Sequence, residues 1–177
     1  QALERFTEQK GRGASEVFPW REGNIVLVDD SYNASPASMR AAFARLAEMS
    51  GKRRKIAVLG DMLELGDASA GLHRGLAEDL TRHGIQLVFA SGTNMKMLYQ
   101  GVDATMRGAY AEQADMLLEP LMAKLEPGDI VLLKGSHGSG TYKLAEKLQE
   151  IIGNTELQQK IGKEAGLGTE GGSQKEG

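Results

Sequence analysis

The chain contains no cysteine. Disulfides and thiolate metal sites are therefore excluded, and a reducing compartment fits. Aromatic residues are scarce, 5% of 177 positions, and the net charge is only -3. Base-stacking platforms and a basic footprint are both missing, so nucleic acid is not expected as a partner. No apolar run approaches the roughly eighteen residues of a membrane span, so membrane insertion is not expected either. Gln1-Ala2-Leu3-Glu4-Arg5-Phe6 is polar and mixed, unlike a signal peptide. The chain opens on Gln rather than Met, which leads us to expect a fragment or a processed product. Hydrophobic residues make up 41% and charged residues 25%, the balance of one globular domain large enough to bury a core.

Four short apolar runs are present: Ile25 to Val28, Ile56 to Leu59, Leu87 to Ala90 and Ile130 to Leu133. Continuous runs rich in branched residues suit parallel strands buried on both faces. Helical spacing separates them. Ser35-Pro36 combines an N-cap with a proline at the first helical position. Met39, Ala42, Phe43, Leu46 and Ala47 then recur at helical intervals until Ser50-Gly51. A second helix is expected from Ala68 to His83, with Leu72, Leu76 and Leu80 four apart and Gly84 as its stop. A short helix should follow Asn94, and residues 101–110 hold a weak strand pattern. Residues 111–125 read as helix, with Pro120 predicting a kink or break. A last helix should run to about Ile152. Glu16 to Trp20 reads as an edge strand because it contains Pro19. Ala2, Leu3 and Phe6 suggest the last turn of a preceding helix. Lys52-Arg53-Arg54-Lys55 reads as a solvated turn. Strands alternating with helices predict an α/β fold: a Rossmann-like, doubly wound, mostly parallel sheet with helices on both faces. We expect that domain to occupy residues 1–152. Residues 153–177, rich in Gly, Lys, Glu and Gln, read as a helical scrap and a flexible or artificially appended tail.

Ligands of open α/β sheets sit beyond the carboxyl ends of the strands. Four polar clusters stand there: Asp29/Asp30, Asp61, Ser91/Thr93 and Lys134/Ser136. The Lys134 to Gly140 loop opens a helix, where backbone N–H groups favour anions. Glycines at 135, 138 and 140 serve equally well for close packing. The loop is not a G-x-x-x-x-G-K-[ST] phosphate loop, since Thr141 follows Gly140. No zinc spacing and no G-x-S-x-G elbow occurs. His73 and His83 read as ordinary packing or surface residues, while His137 stays a candidate inside the glycine loop. Two readings remain open on this basis. One is a receiver-like phosphoacceptor built from the acidic pair, Asp61, a Ser/Thr and Lys134. The other is a nucleotide-facing domain of a larger ATP-using enzyme.

Asp30-Ser31-Tyr32-Asn33-Ala34-Ser35-Pro36-Ala37-Ser38-Met39 resembles the D-S-Y-N-A-N-P-x-S-M segment of the bacterial Mur ligases that add D-alanyl-D-alanine to UDP-N-acetylmuramoyl-tripeptide. Lys10-Gly11-Arg12-Gly13, Leu59-Gly60-Asp61-Met62-Leu63-Glu64-Leu65-Gly66 and Val131-Leu132-Leu133-Lys134-Gly135-Ser136 resemble three further segments of that family, in order. The resemblance implies the C-terminal domain of a three-domain cytoplasmic enzyme. Its partners would be ATP, D-alanyl-D-alanine and, through the other domains, the UDP-linked tripeptide. Magnesium would be bound mainly by the central domain, and this chain alone would be inactive. The family's chemistry runs through an acyl phosphate. By the same resemblance Arg12, Asp30, Tyr32 and Asn33 face the nucleotide. Asp61, Lys134, Ser136 and His137 face the dipeptide, with Lys134 or the loop amides suited to its carboxylate. Two departures stand out. Ser35 replaces a usual Asn, and His137, Thr141 and Tyr142 stand where the family tends to have Arg and then Met.

Overall fold

The computed structural model describes residues 10–164. The four apolar runs form the middle of a six-stranded sheet: β2 (Gly23–Asp30), β3 (Lys55–Gly60), β4 (Leu87–Ser91) and β6 (Ile130–Lys134). β1 (Ala14–Trp20) and β5 (Arg107–Ala111) are the edges, and the order is β1-β2-β6-β3-β4-β5. β1 pairs antiparallel with β2, and the other neighbours pair in parallel. Pro19 sits on the edge strand, where a missing N–H is tolerated. The fold is the mostly parallel α/β sheet expected.

Strand residues point alternately to opposite faces, and each face meets its own helices. Val26, Val28, Ala57, Leu59, Val88, Ala90 and Leu132 pack under α1 (Pro36–Met49), α2 (Ser69–Arg82) and α3 (Met95–Gly101). Ile25, Leu27, Val58, Phe89, Val131 and Leu133 pack under α4 (Leu118–Lys124) and α5 (Thr141–Ile152). Each fully buried Leu or Phe in these layers contributes about 1.5–3 kcal/mol. Helix α1 begins as expected. Ser35 accepts from the Ser38 N–H, Ser38 Oγ accepts from the Ser35 N–H, and Pro36 takes the first helical position.

The connections position the site. β2 and β3 lead into α1 and α2 on one face, while β6, lying between them, leads into α5 on the other. Chains leaving adjacent strands in opposite directions open a crevice at the strand ends. Here the direction reverses on each side of β6.

Residues 111–125 depart from expectation. Ala111 ends β5, a 3-10 turn covers Ala114–Leu117, and α4 starts only at Leu118. Pro120 lies in the first turn of α4, where an N–H has no intrahelical acceptor. It therefore marks a beginning instead of kinking a longer helix. Beyond Ile152 the chain forms α6 (Thr155–Glu164), with Ile161 against the α5-side core and Gln158 Nε2 donating to the Pro19 carbonyl at 3.2 Å. The expected helical turn at Ala2, Leu3 and Phe6 lies outside the described residues, as does the chain after Glu164.

Gly60 ends β3 directly beneath α5. A Cβ there would stand 2.1 Å from Thr141 Oγ1 and 2.6 Å from Ser139 Oγ. Gly71, on α2, faces open space. Gly60→Ala is therefore expected to lose about 1–3 kcal/mol to overpacking. Gly71→Ala is expected to be neutral or to gain up to about 1 kcal/mol. Urea unfolding followed by far-UV circular dichroism measures both, and equal midpoints for the two variants would refute the close approach.

Candidate functional site

The acidic pair at the end of β2 is divided by strand alternation. Asp29 turns toward α5, where its carboxylate accepts from the Ser31 N–H at 3.3 Å, from Ser31 Oγ, and from Gln149 Nε2 at 3.2 Å. It is buried. Asp30 turns to the opposite face. The two carboxylates therefore do not converge, and Asp61 is engaged elsewhere. The receiver-like reading, which needs them around one ion, loses its geometry.

Asp30 is the register partner of Lys134 on β6. Lys134 Nζ donates to Asp30 Oδ2 at 2.7 Å and to the Asn33 carbonyl at 2.9 Å. The lysine is 2% exposed, whereas the Asp30 side chain is a quarter exposed. One cation thus joins two strands and holds the loop that follows β2. On the other side of that loop, the Tyr32 N–H donates to the Gly11 carbonyl at 2.9 Å. Arg12 lies 4.7 Å over the Tyr32 ring. Arg12, Asp30, Tyr32 and Asn33 line an open cleft of about 350 Å³ together with Lys134 and residues of α1. All four residues expected to face a nucleotide are brought together. Lys134, expected to face the dipeptide, stands among them and not beside Asp61.

His137 joins the cleft to the glycine loop. Its ring stacks on Tyr142 at 4.3 Å, nearly parallel, and lies 5.6 Å from Tyr32. Arg12, Tyr32, His137 and Tyr142 form one row. Ser136 is buried, and its Oγ accepts from the Leu63 N–H at 2.9 Å. Its own N–H donates to the Asp61 carbonyl at 3.0 Å, so it staples the ends of β3 and β6 together. Of the two readings of the glycine loop, close packing is the one seen at Gly135. A Cβ there would fall 2.5 Å from both Ser139 Oγ and Thr141 Oγ1. The loop amides of Ser139 and Gly140 turn inward, donating to Ser136 and His137 carbonyls.

The second crevice, of about 490 Å³, lies at the ends of β3, β4 and β5. Asp61, Glu112, Asp115 and Lys143 line it. Asp61 faces it with occupied oxygens: Met95 N–H donates at 2.7 Å and Asn94 N–H at 3.3 Å, both at the start of α3. A carboxylate at a helix N-terminus is favourable there. Gly92 is required beside it, since a Cβ would lie 2.4 Å from Asp61 Oδ1 and φ is +107°. The Tyr110 hydroxyl, which donates to the Gly92 carbonyl, has its pKa raised, first by burial and then by Glu112 and Asp61. Met62 N–H donates to His73 Nε2, leaving the Nδ1 proton for the Ser69 carbonyl at 2.7 Å. His73 is thus a packing residue, as expected.

Arg45 and Tyr142 were not picked out as site residues by sequence reasoning. Arg45 lines the first cleft and donates to the Gly13 carbonyl at 2.8 Å. Its signal was spacing: Ser38, Ala41, Ala42 and Arg45 share one stripe of α1. Tyr142 stands out in the sequence only as a departure from the family's pattern, and its stacking on His137 comes from the loop before its own helix.

The model of the Mur ligase, glutamate ligase domain matches residues 16–137. The UDP-N-acetylmuramoyl-tripeptide--D-alanyl-D-alanine ligase of Bacillus subtilis strain 168 is 32% identical over 135 residues, covering 74% of this chain and 29% of that protein. A MurF structure from Acinetobacter baumannii superposes with a TM-score of 0.65 at 30% identity, covering 84% of this chain and 32% of that one. The MurF ligase of Thermotoga maritima, solved in complex with ADP, gives 0.62 at 25% identity, over 86% of this chain and 32% of that one. The chain spans less than a third of the length of these relatives. The matched residues run from within the edge strand to the start of the glycine loop, and they show that the chain belongs to the Mur ligase family by its glutamate ligase domain.

Proposed function

We propose that the chain is the C-terminal domain of the ATP-dependent ligase that joins D-alanyl-D-alanine to UDP-N-acetylmuramoyl-tripeptide in peptidoglycan precursor synthesis, a bacterial cytoplasmic reaction. The observation that carries this reading is the convergence of Arg12, Asp30, Tyr32 and Asn33 on one crevice at the strand ends. A relative with the same fold was solved with ADP. The donor set suits a nucleoside phosphate. Asp30 offers a carboxylate to ribose hydroxyls, Arg12 a cation to phosphate or ribose, and Tyr32 and Asn33 an exposed wall.

ATP would supply the phosphoryl group that activates the tripeptide carboxylate, so that the dipeptide amine can displace phosphate. The part of this chain is to position and to exclude water, as a closing domain does. No phosphate loop occurs in the sequence. Among the described residues, no three His, Asp or Glu side chains are placed to hold a metal ion. On this reading, which follows the family resemblance, magnesium and the phosphate loop would belong to parts of the enzyme outside this chain. The second crevice suits a zwitterionic dipeptide, with Glu112 and Asp115 for its ammonium and Lys143 for its carboxylate. Asp61, Ser136 and His137 support that side by shaping the loops around it.

Two outcomes are expected. The chain by itself will not ligate: product analysis by mass spectrometry with ATP, magnesium and both substrates should show no adduct. Detected ligation would overturn the domain reading. In the full-length ligase carrying this domain, Asp30→Asn should raise KM for ATP about tenfold, the worth of one charged hydrogen bond, with KM for the dipeptide within about twofold. The opposite pattern would move Asp30 to the other substrate.

A further inference from the structure

We propose that Lys134 is a positioning residue for the nucleotide, acting through Asp30 and the Asn33 peptide, and that it touches neither the dipeptide nor the nucleotide itself. The inference rests on the nucleotide reading of the first cleft. Lys134 Nζ has three protons to donate. One goes to Asp30 Oδ2 at 2.7 Å and one to the Asn33 carbonyl at 2.9 Å. The side chain is 3% exposed, against 25% for Asp30, so the carboxylate reaches the cleft and the ammonium stays behind it. Parallel register places the two residues opposite each other, and their placement does not depend on a flexible loop.

Two consequences follow for a bound nucleotide. Asp30 unpaired would repel an anionic ligand, and the buried ammonium offsets that charge at contact distance. The same ammonium fixes the loop between β2 and α1. With Lys134 bonded to the Asn33 carbonyl and Gly11 accepting from Tyr32, both sides of the loop are tethered. Asp30 Oδ1 then points from a fixed carboxylate, which is what selective recognition of a ribose hydroxyl needs.

The test is a double-mutant cycle in the full-length ligase, with Asp30→Asn, Lys134→Met and both together, reading KM for ATP and for D-alanyl-D-alanine separately. Methionine keeps the stem length, and the double variant leaves no buried charge unpaired. Lys134→Met should raise KM for ATP about threefold or more and leave KM for the dipeptide within about twofold. The ATP defect of the double variant should fall well short of the product of the two single defects, since one of the two routes by which Lys134 acts runs through the residue already altered. A rise in dipeptide KM on Lys134→Met overturns the inference. So does a double variant whose ATP defect is the product of the two single defects, which would mean direct contact with the nucleotide. So does a loss of thermal stability with both KM values unchanged, the mark of a merely structural lysine. Should Lys134→Met not fold, the double variant decides alone: a KM for the dipeptide more than about twofold above that of Asp30→Asn refutes the inference, and one within that range supports it. Failure of the underlying reading is separate, because Asp30→Asn by itself would then leave KM for ATP unchanged.

Discussion

The bond between Lys134 and Asp30 is the constraint on which the cleft depends. It lies at the point where β2 and β6 part, one chain turning up to α1 and the other down to α5. Strand ends that diverge lose their ladder partners there, so side chains must take over. Lys134 does so for β2, and Ser136, through Leu63 and Asp61, does so for β3. Both come from β6. The central strand therefore ends in two ties, one to each neighbour, and each tie borders one crevice.

An ion pair in this place is not primarily a source of stability. Burying an ammonium costs several kcal/mol, and its partner largely offsets that cost without exceeding it by much. What the pair provides is direction: one ammonium holds both the carboxylate of Asp30 and the peptide of Asn33. Asp29 does the complementary work on the other face, anchoring Ser31 and Gln149. Two adjacent carboxylates thus serve two layers because strand alternation separates them.

Much of this was legible in the chain itself. The buried strands announced themselves as unbroken apolar runs, and the Ser35-Pro36 start of α1 is a local signal that tertiary packing had no reason to override. Grouping Arg12 with Asp30, Tyr32 and Asn33 came from motif resemblance, and no periodicity contains it. What escaped were features set by long-range geometry. Pro120 was read against a helix from 111 because Ala114, Leu117, Leu118 and Leu121 keep helical spacing across a 3-10 turn, which the period alone does not reveal. The resemblance puts Lys134 with Ser136 on the dipeptide side. Its partner is 104 residues away, and only sheet order brings the two together.

On the proposed reading the first cleft is half of a site, and the same geometry keeps it from being loose. A half-site on flexible loops would have to order itself each time a ligand arrived, and the lost entropy would weaken binding. Here the main chain on each side of the Tyr32 ring is already tied, Arg12 through its flanking glycines and Asn33 through Lys134. Gly13 N–H donates to the Asp29 carbonyl at 2.7 Å, and Gly11 accepts from Tyr32. Arg45 holds the Gly13 carbonyl from α1. The row of Arg12, Tyr32, His137 and Tyr142 then links this rigid edge to the glycine loop bordering the second crevice. On the proposed reading, a domain built this way moves as one body. Closure would bring both crevices to the reacting groups together, and the conformational cost would fall on the junction with the neighbouring domain, not on the site.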